Sequence, residues 1–197
     1  MSNGEHWVAV EAGRVRTPRL TLRAWVREDA AAALAVYGAE DVTRWLSPTM
    51  GRIADVASME QVIDGWLADD LEAPARRWAI EVIDEVSGHP VLAGGTALLP
   101  LPPDGVDLEI GWQLDPSRWG QGLAAEAGHA VAHFAFESGL DELFAVVRPG
   151  NARAAATARR IGMEWVGETE KYYQLRLQVY RLRAGDLDIP PVAPSGN

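Results

Sequence analysis

The stretch from Arg77 to Pro116 constrains the fold most. "RWAIEVID" alternates apolar and polar residues, "EVSGHP" turns the chain, "VLAGGTALLP" is a second apolar run, "PPDG" turns again, and "VDLEIGWQLDP" is a third run. Short runs of this kind joined by Gly- and Pro-rich turns read as three consecutive antiparallel strands. Gly94-Gly95 marks an expected bulge in the middle one. Directly afterwards, "RWGQGLAAEAGHA" (Arg118–Ala130) sets two glycines one residue apart ahead of a helical run that reaches about Ser138.

The flanking segments complete a pattern. "LTLRAW" (Leu20–Trp25) alternates as a strand, and Asp29 is placed to cap a helix that runs through Tyr37 and ends at Gly38. Val56, Met59, Val62, Ile63, Trp66 and Leu67 recur at helical spacing, which predicts an amphipathic helix. After the glycines come a strand "ELFAVVRP", a short helix "NARAAATARRIG" ended by Gly162, and two strands, "MEWVGE" and "QLRLQVYRLRA". The order β-α-α-β-β-β-α-β-α-β-β predicts an α/β (α+β) fold with a mixed, mostly antiparallel central sheet and flanking helices. No repeat or linker divides the chain, so one domain over residues 1–197 is expected. Its core would cover about 17–183, with a loose N-terminal arm and a Pro-rich tail, "DLDIPPVAPSGN".

Composition removes several function classes. The chain has no cysteine, which excludes disulfides, cysteine-ligated zinc and thiol catalysis. That suits a reducing cytoplasm, and neither a secretory signal nor an 18-residue apolar run is visible in the sequence. The net charge of −10 argues against nucleic acid as a partner and favours a cationic one, amines included. The same charge also serves solubility. His129 and His133 stand four apart on the expected helix, but Ala130 replaces the glutamate of a zinc-peptidase motif and no G-x-S-x-G elbow occurs. No metal site is expected, and helix packing or a dimer contact accounts for the histidines. Of the eight tryptophans, Trp25, Trp66 and Trp78 are assigned to the core, whereas Trp45 fits either core or pocket.

"GQGLAA" fits two phosphate loops. A dinucleotide fingerprint requires its glycines directly after a parallel strand in a βαβ unit. Here Asp115–Trp119 intervenes and the preceding strands form an antiparallel meander, which leaves a dinucleotide-binding oxidoreductase as a remote alternative. A coenzyme A diphosphate fits better. Gly120 and Gly122 remove Cβ atoms from its path, the helix N-terminus aims amide N–H groups at it, and Arg118 adds charge at the rim. Ala124, Ala125 and Ala127 let the helix pack close to the strand.

With these motifs, "LEIGWQLDPSRWGQGLAAEA" followed by "VVRPGNARAAATARRIGMEWVG", the chain resembles the GNAT N-acetyltransferase superfamily, in particular its ribosomal-protein-alanine acetyltransferase (RimJ/RimL-type) branch. The resemblance spans about residues 17–183. It implies a splay between the fourth and fifth strands that takes acetyl-CoA as co-substrate. It further implies that Trp112, Gln113 and Leu114 pair with the pantetheine arm, and that Trp119, Gly120, Gln121, Gly122, Leu123 and Ala124 surround the diphosphate. Asn151 would support the cofactor arm, cap the following helix, or do both. Glu109 is implied as the base that deprotonates an attacking amine, against the alternative of a rim carboxylate that orients substrate. The positions where the family usually places its proton donor, tyrosine or serine, are Ala158 and Ala154. Tyr172 or Tyr173 could donate instead, or could simply line the acceptor pocket. Arg153, Arg159 and Arg160 form a basic edge, facing the CoA 3′-phosphate or solvent. The expected function is acetyl transfer to an amine, either a protein N-terminus or a cationic small molecule, by an enzyme that could act as a homodimer. The missing donors motivate one alternative, an acyl-CoA-binding or sensor module with little turnover.

Overall fold

The computed structural model describes residues 7–46, 50 and 53–187. Nine strands form one sheet. They are β1 (Ala9–Glu11), β2 (Arg14–Arg16), β3 (Leu20–Arg23), β4 (Arg76–Ile83), β5 (Pro90–Pro100), β6 (Leu108–Leu114), β7 (Glu142–Val147), β8 (Glu164–Thr169) and β9 (Leu177–Arg183). Their spatial order is β1-β2-β3-β4-β5-β6-β7-β9-β8. Every neighbouring pair is antiparallel except β6 and β7, which are parallel. The predicted meander is β4-β5-β6, and the expected fourth and fifth strands are β6 and β7.

Helices cover both faces. On one lie α1 (Ala30–Tyr37), α2 (Glu40–Thr43) and α3 (Val56–Ala68); on the other lie α4 (Leu123–Glu137) and α5 (Ala152–Ile161). Neighbouring residues of β4 show the division: Trp78 and Ile80 join the core under α4 and α5, while Ala79 joins the core under α1 and α3. A strand covered on both faces buries successive residues, as Trp78, Ala79 and Ile80 do. In β5, Gly94 faces Ile80 and Leu92 faces Glu81, so Ala93 is the extra residue of a bulge beside the predicted Gly94-Gly95.

Three expectations change. Residues 9–16 form a β-hairpin that extends the sheet, not a loose arm, because Val15 is fully buried and Trp78 Nε1 donates to the Gly13 carbonyl at 2.9 Å. Asp29 does not cap α1 with its side chain; it grips the Arg23 guanidinium at 2.7 Å and accepts from Val26 N at 3.0 Å. On α3, Met59 and Ile63 are buried, but Val56 and Leu67 at its ends face solvent. The Pro-rich tail beyond residue 187 lies outside the described residues.

Only one residue pair, Glu109 with Phe144, registers β6 against β7, whereas β7 and β9 are paired along their length. Beyond Glu109 the two parallel strands part, which opens the sheet from within and exposes the C-terminal half of β6 along that edge.

Candidate active site

A cleft of about 1610 Å³ fills the gap between the parted strands and spreads over the sheet face beneath α1 and α3. Cross-strand rows make its floor: Gly95 faces Gln113, and Arg77, Ala97 and Gly111 align across β4, β5 and β6. Small residues keep this floor low. A Cβ on Gly95 would come within 2.3 Å of the Tyr37 hydroxyl and 2.7 Å of Trp25, so glycine is what admits both rings. Tyr37 donates to Gln113 Oε1 at 3.2 Å, and the Trp25, Tyr37 and Trp66 rings pack with centroids 5.1–6.2 Å apart. All three rings line the cleft, as does the half-buried Trp45. Trp25 is therefore core and cleft wall at once, and Trp45 belongs to the pocket.

At the other end, the chain leaves β6 through a turn at Pro116–Arg118, whose first amide is held by Asp115: the carboxylate accepts from Ser117 N and Oγ, both at 2.8 Å. Gly120 and Gly122 have φ of 80° and 78°, the left-handed region that other residues enter at a cost. Among the described residues, the amides of Gly120 to Ala125 meet no acceptor, so six N–H groups around the N-terminus of α4 are open to an anion. Glu126, the acid of that first turn, is turned away from them. It accepts from Thr17 Oγ1 at 2.6 Å and from Arg19 Nε at 2.5 Å, and Arg19 also donates to the Gln121 carbonyl at 2.9 Å.

The other residues expected near a diphosphate divide. Trp119 Nε1 donates to the Leu114 carbonyl at 3.0 Å, and the Arg153 guanidinium lies 4.2 Å over its ring. Trp112, Gln113, Leu114, Arg118, Leu123 and Ala124 all border the cleft. Arg153 and Arg160 line it too, but Arg159 lies over Tyr180. Asn151 Oδ1 accepts from Ala154 N at 3.1 Å, the helix-cap arrangement, and the residue also lines the cleft. Ala158 is fully buried, so a side chain there would point into the core, whereas Ala154 and Thr157 border the cleft. His129 Nε2 lies 3.3 Å from the Leu187 carbonyl and His133 lies 3.5 Å from Glu137. Among the described residues, no group of three or more His, Asp or Glu side chains could hold a metal ion.

Glu109 sits where β6 and β7 part, half-buried in the cleft wall. Burial pushes its carboxyl up to about 7, against a smaller downward pull from the Tyr173 hydroxyl, which donates to Oε1. The Tyr173 hydroxyl is itself raised well above its ordinary value by burial and by that carboxylate. Tyr172 goes elsewhere: it is buried among Leu101, Leu177 and Val179, and its hydroxyl donates to Asp107 Oδ2 at 2.6 Å. Burial and that bond push it to about 12. The fold thus brings Glu109 and Tyr173 together and leaves Tyr172 outside the cleft lining. Sequence reasoning missed Tyr37, Thr157 and Arg148. Arg148, at the end of β7, donates to the Leu46 carbonyl at 2.8 Å and ties the segment after α2 to the mouth of the splay.

The acetyltransferase (GNAT) domain family matches residues 19–164, and the chain belongs to this family. An uncharacterized N-acetyltransferase, YoaA, of Bacillus subtilis (strain 168) is 28% identical over 162 residues, covering 80% of this chain and 86% of YoaA. An acetyltransferase from Agrobacterium tumefaciens superposes with a TM-score of 0.67 at 27% identity, covering 91% of this chain and 99% of the other. Mycobacterium smegmatis RimJ, solved with a CoA-disulfide, superposes with a TM-score of 0.70 at 20% identity, covering 87% and 85% of the two chains. No helix among the described residues is long and apolar enough to cross a membrane.

Proposed function

We propose that the protein transfers the acetyl group of acetyl-CoA to an amine by direct attack. The observation that carries this reading is the placement of Glu109: a carboxylate with a proton affinity suited to neutral pH, at the point where β6 and β7 part, in the same cleft as the open amides of Gly120 to Ala125. Family membership and the CoA-bound RimJ of similar fold support it.

In this reading the amides of Gly120–Ala125 take the CoA diphosphate, with Arg118 and Arg153 at its rim and Asn151 beside the arm. The free edge of β6 at Trp112–Leu114 pairs with the pantetheine. Glu109, as carboxylate, takes a proton from the acceptor ammonium, directly or through one water, which frees the nitrogen lone pair. The nitrogen attacks the thioester carbonyl, the C–N bond forms, the C–S bond breaks with its electron pair going to sulfur, and the second nitrogen proton passes to the departing thiolate or to water. A thiol of ordinary pKa about 8.5 leaves without a dedicated acid. Tyr173 orients Glu109 and does not protonate the sulfur, because its proton is already shared with the carboxylate. The acceptor is an amine borne by a protein N-terminus or by a cationic small molecule.

A second reading, an acyl-CoA-binding module with little turnover, rests on Ala154 and on the buried Ala158 where the family's usual donors stand. Thermal shifts with acetyl-CoA, CoA and NAD, followed by thiol release across an amine panel, separate the two. CoA compounds should raise the melting temperature. Stabilisation by acetyl-CoA without release of CoA thiol in the presence of any peptide or polyamine would favour the second reading, and no response to CoA compounds would remove both.

A further inference from the structure

Two consecutive tyrosines meet two carboxylates that lie two residues apart. Tyr172 reaches Asp107 and Tyr173 reaches Glu109. Asp107 is firmly placed at the entrance to β6: its carbonyl accepts from Leu101 N at 2.8 Å. Its carboxylate accepts from Tyr172 at 2.6 Å and from Lys171 Nζ at 3.1 Å, and Lys171 also faces Asp104 at 3.5 Å. These bonds pin the turn between β8 and β9. Within that turn Tyr173 and Gln174 both have φ of 54°. Left-handed backbone is unfavourable at a non-glycine residue, and two in succession persist only where neighbours hold them. Leu175 N closes the turn on the Tyr172 carbonyl at 3.2 Å.

We propose that Asp107 is a positioning residue: through Tyr172 it fixes this turn so that the Tyr173 hydroxyl is delivered to Glu109. Neither Asp107 nor Tyr172 borders the cleft. Their effect on chemistry passes through Tyr173, whose donated bond favours the charged form of Glu109 and opposes the desolvation of that carboxylate. The other groups around Glu109 leave this bond as the tunable one. Its partner on β5 is Leu99 and on β7 Phe144, Lys171 is held by Asp104 and Asp107, and Arg77 on β4 is paired with Asp69 at 2.5 Å. The inference rests on the reading of Glu109 as base, but its test does not require turnover.

The test is the titration of Glu109, followed by NMR on side-chain-labelled glutamate with Glu109→Gln to assign the signal. Tyr172→Phe keeps the buried ring and removes only the hydroxyl, so it should fold; thermal melts check this. The Glu109 midpoint should move up by roughly half a pH unit or more, as in Tyr173→Phe. In the Tyr172→Phe/Tyr173→Phe double variant it should move no further than in Tyr173→Phe alone. Asp107→Asn is a second arm with an opposing sign. Loss of a nearby negative charge lowers a carboxyl midpoint, whereas release of the turn raises it, so an upward shift reports the positioning effect. An unmoved midpoint in Tyr172→Phe, or additive shifts in the double variant, would overturn the proposal. If acetyl transfer fails with every amine, the titration still decides.

Discussion

The two ends of the cleft are built from different material. The end at α4 is backbone: six successive amides, Gly120 to Ala125, two left-handed glycines and the start of the helix. The opposite end is side chain: Trp25 and Tyr37 before and on α1, Trp66 on α3, Arg77 on β4, Glu109 on β6 and Tyr173 from the turn between β8 and β9. A backbone site tolerates changes of side chain but not of conformation. A site of converging side chains has the opposite sensitivity, and the two halves should respond differently to substitution.

The largest effect is expected at Glu109. Replacement by glutamine should lower kcat by about 10²-fold or more while the affinity for acetyl-CoA, read by calorimetry, stays near wild type. If both fell together, the division of labour between the two ends would be wrong. Gly122→Val tests the other end. At φ of 78° a β-branched residue is strained, so the turn that presents the open amides must shift, and the new Cβ would lie 3.5 Å from the Arg19 guanidinium. Acetyl-CoA affinity should fall about tenfold or more, a loss of at least about 1.4 kcal/mol, and the melting temperature should drop as well.

The pH dependence sharpens the side-chain end. With Glu109 as the proposed base, acting as carboxylate, kcat/KM should fall as pH drops through about 7. Tyr173→Phe removes the bond that pulls this carboxyl down, so the acidic limb should move to higher pH. Stability carries the same signature in reverse. A carboxyl raised in the folded state contributes stability that is complete below its ordinary value of 4.5 and is lost as pH rises through about 7. Glu109→Gln should therefore be more stable than wild type at pH 8, by roughly 1–3 kcal/mol in urea unfolding, with the advantage shrinking toward pH 5. The smallest effect is expected at Arg153. Alanine there removes a cation from the rim of the proposed diphosphate site and from the face of Trp119, and should weaken CoA binding a few-fold, about 0.5–1 kcal/mol.

This asymmetry also explains what could be read beforehand. The glycine loop was legible because its donors are consecutive residues, and the conformation they need is written in residue types, Gly120 and Gly122. The meander was legible because alternation and turns are local signals; even the bulge announced itself at Gly94-Gly95. The N-terminal hairpin was not, because strands of three residues carry too little periodicity to stand out. Tyr37 gave no signal either. It closes a short helix in sequence, and only the absence of a Cβ on Gly95, far along the chain, lets its hydroxyl reach Gln113.

By itself, then, the sequence determined the class of sheet, the glycine turn that opens α4 and the membership of Glu109 in the strand beside it, since each depends on contacts within a few residues. Tertiary structure alone decided which tyrosine meets Glu109. Tyr172 and Tyr173 are neighbours of identical chemistry, and only the pinned left-handed turn sends one to Asp107 and the other to Glu109. It also decided the proton affinity of Glu109, because desolvation is a property of everything packed around a group and not of the residues beside it in the chain.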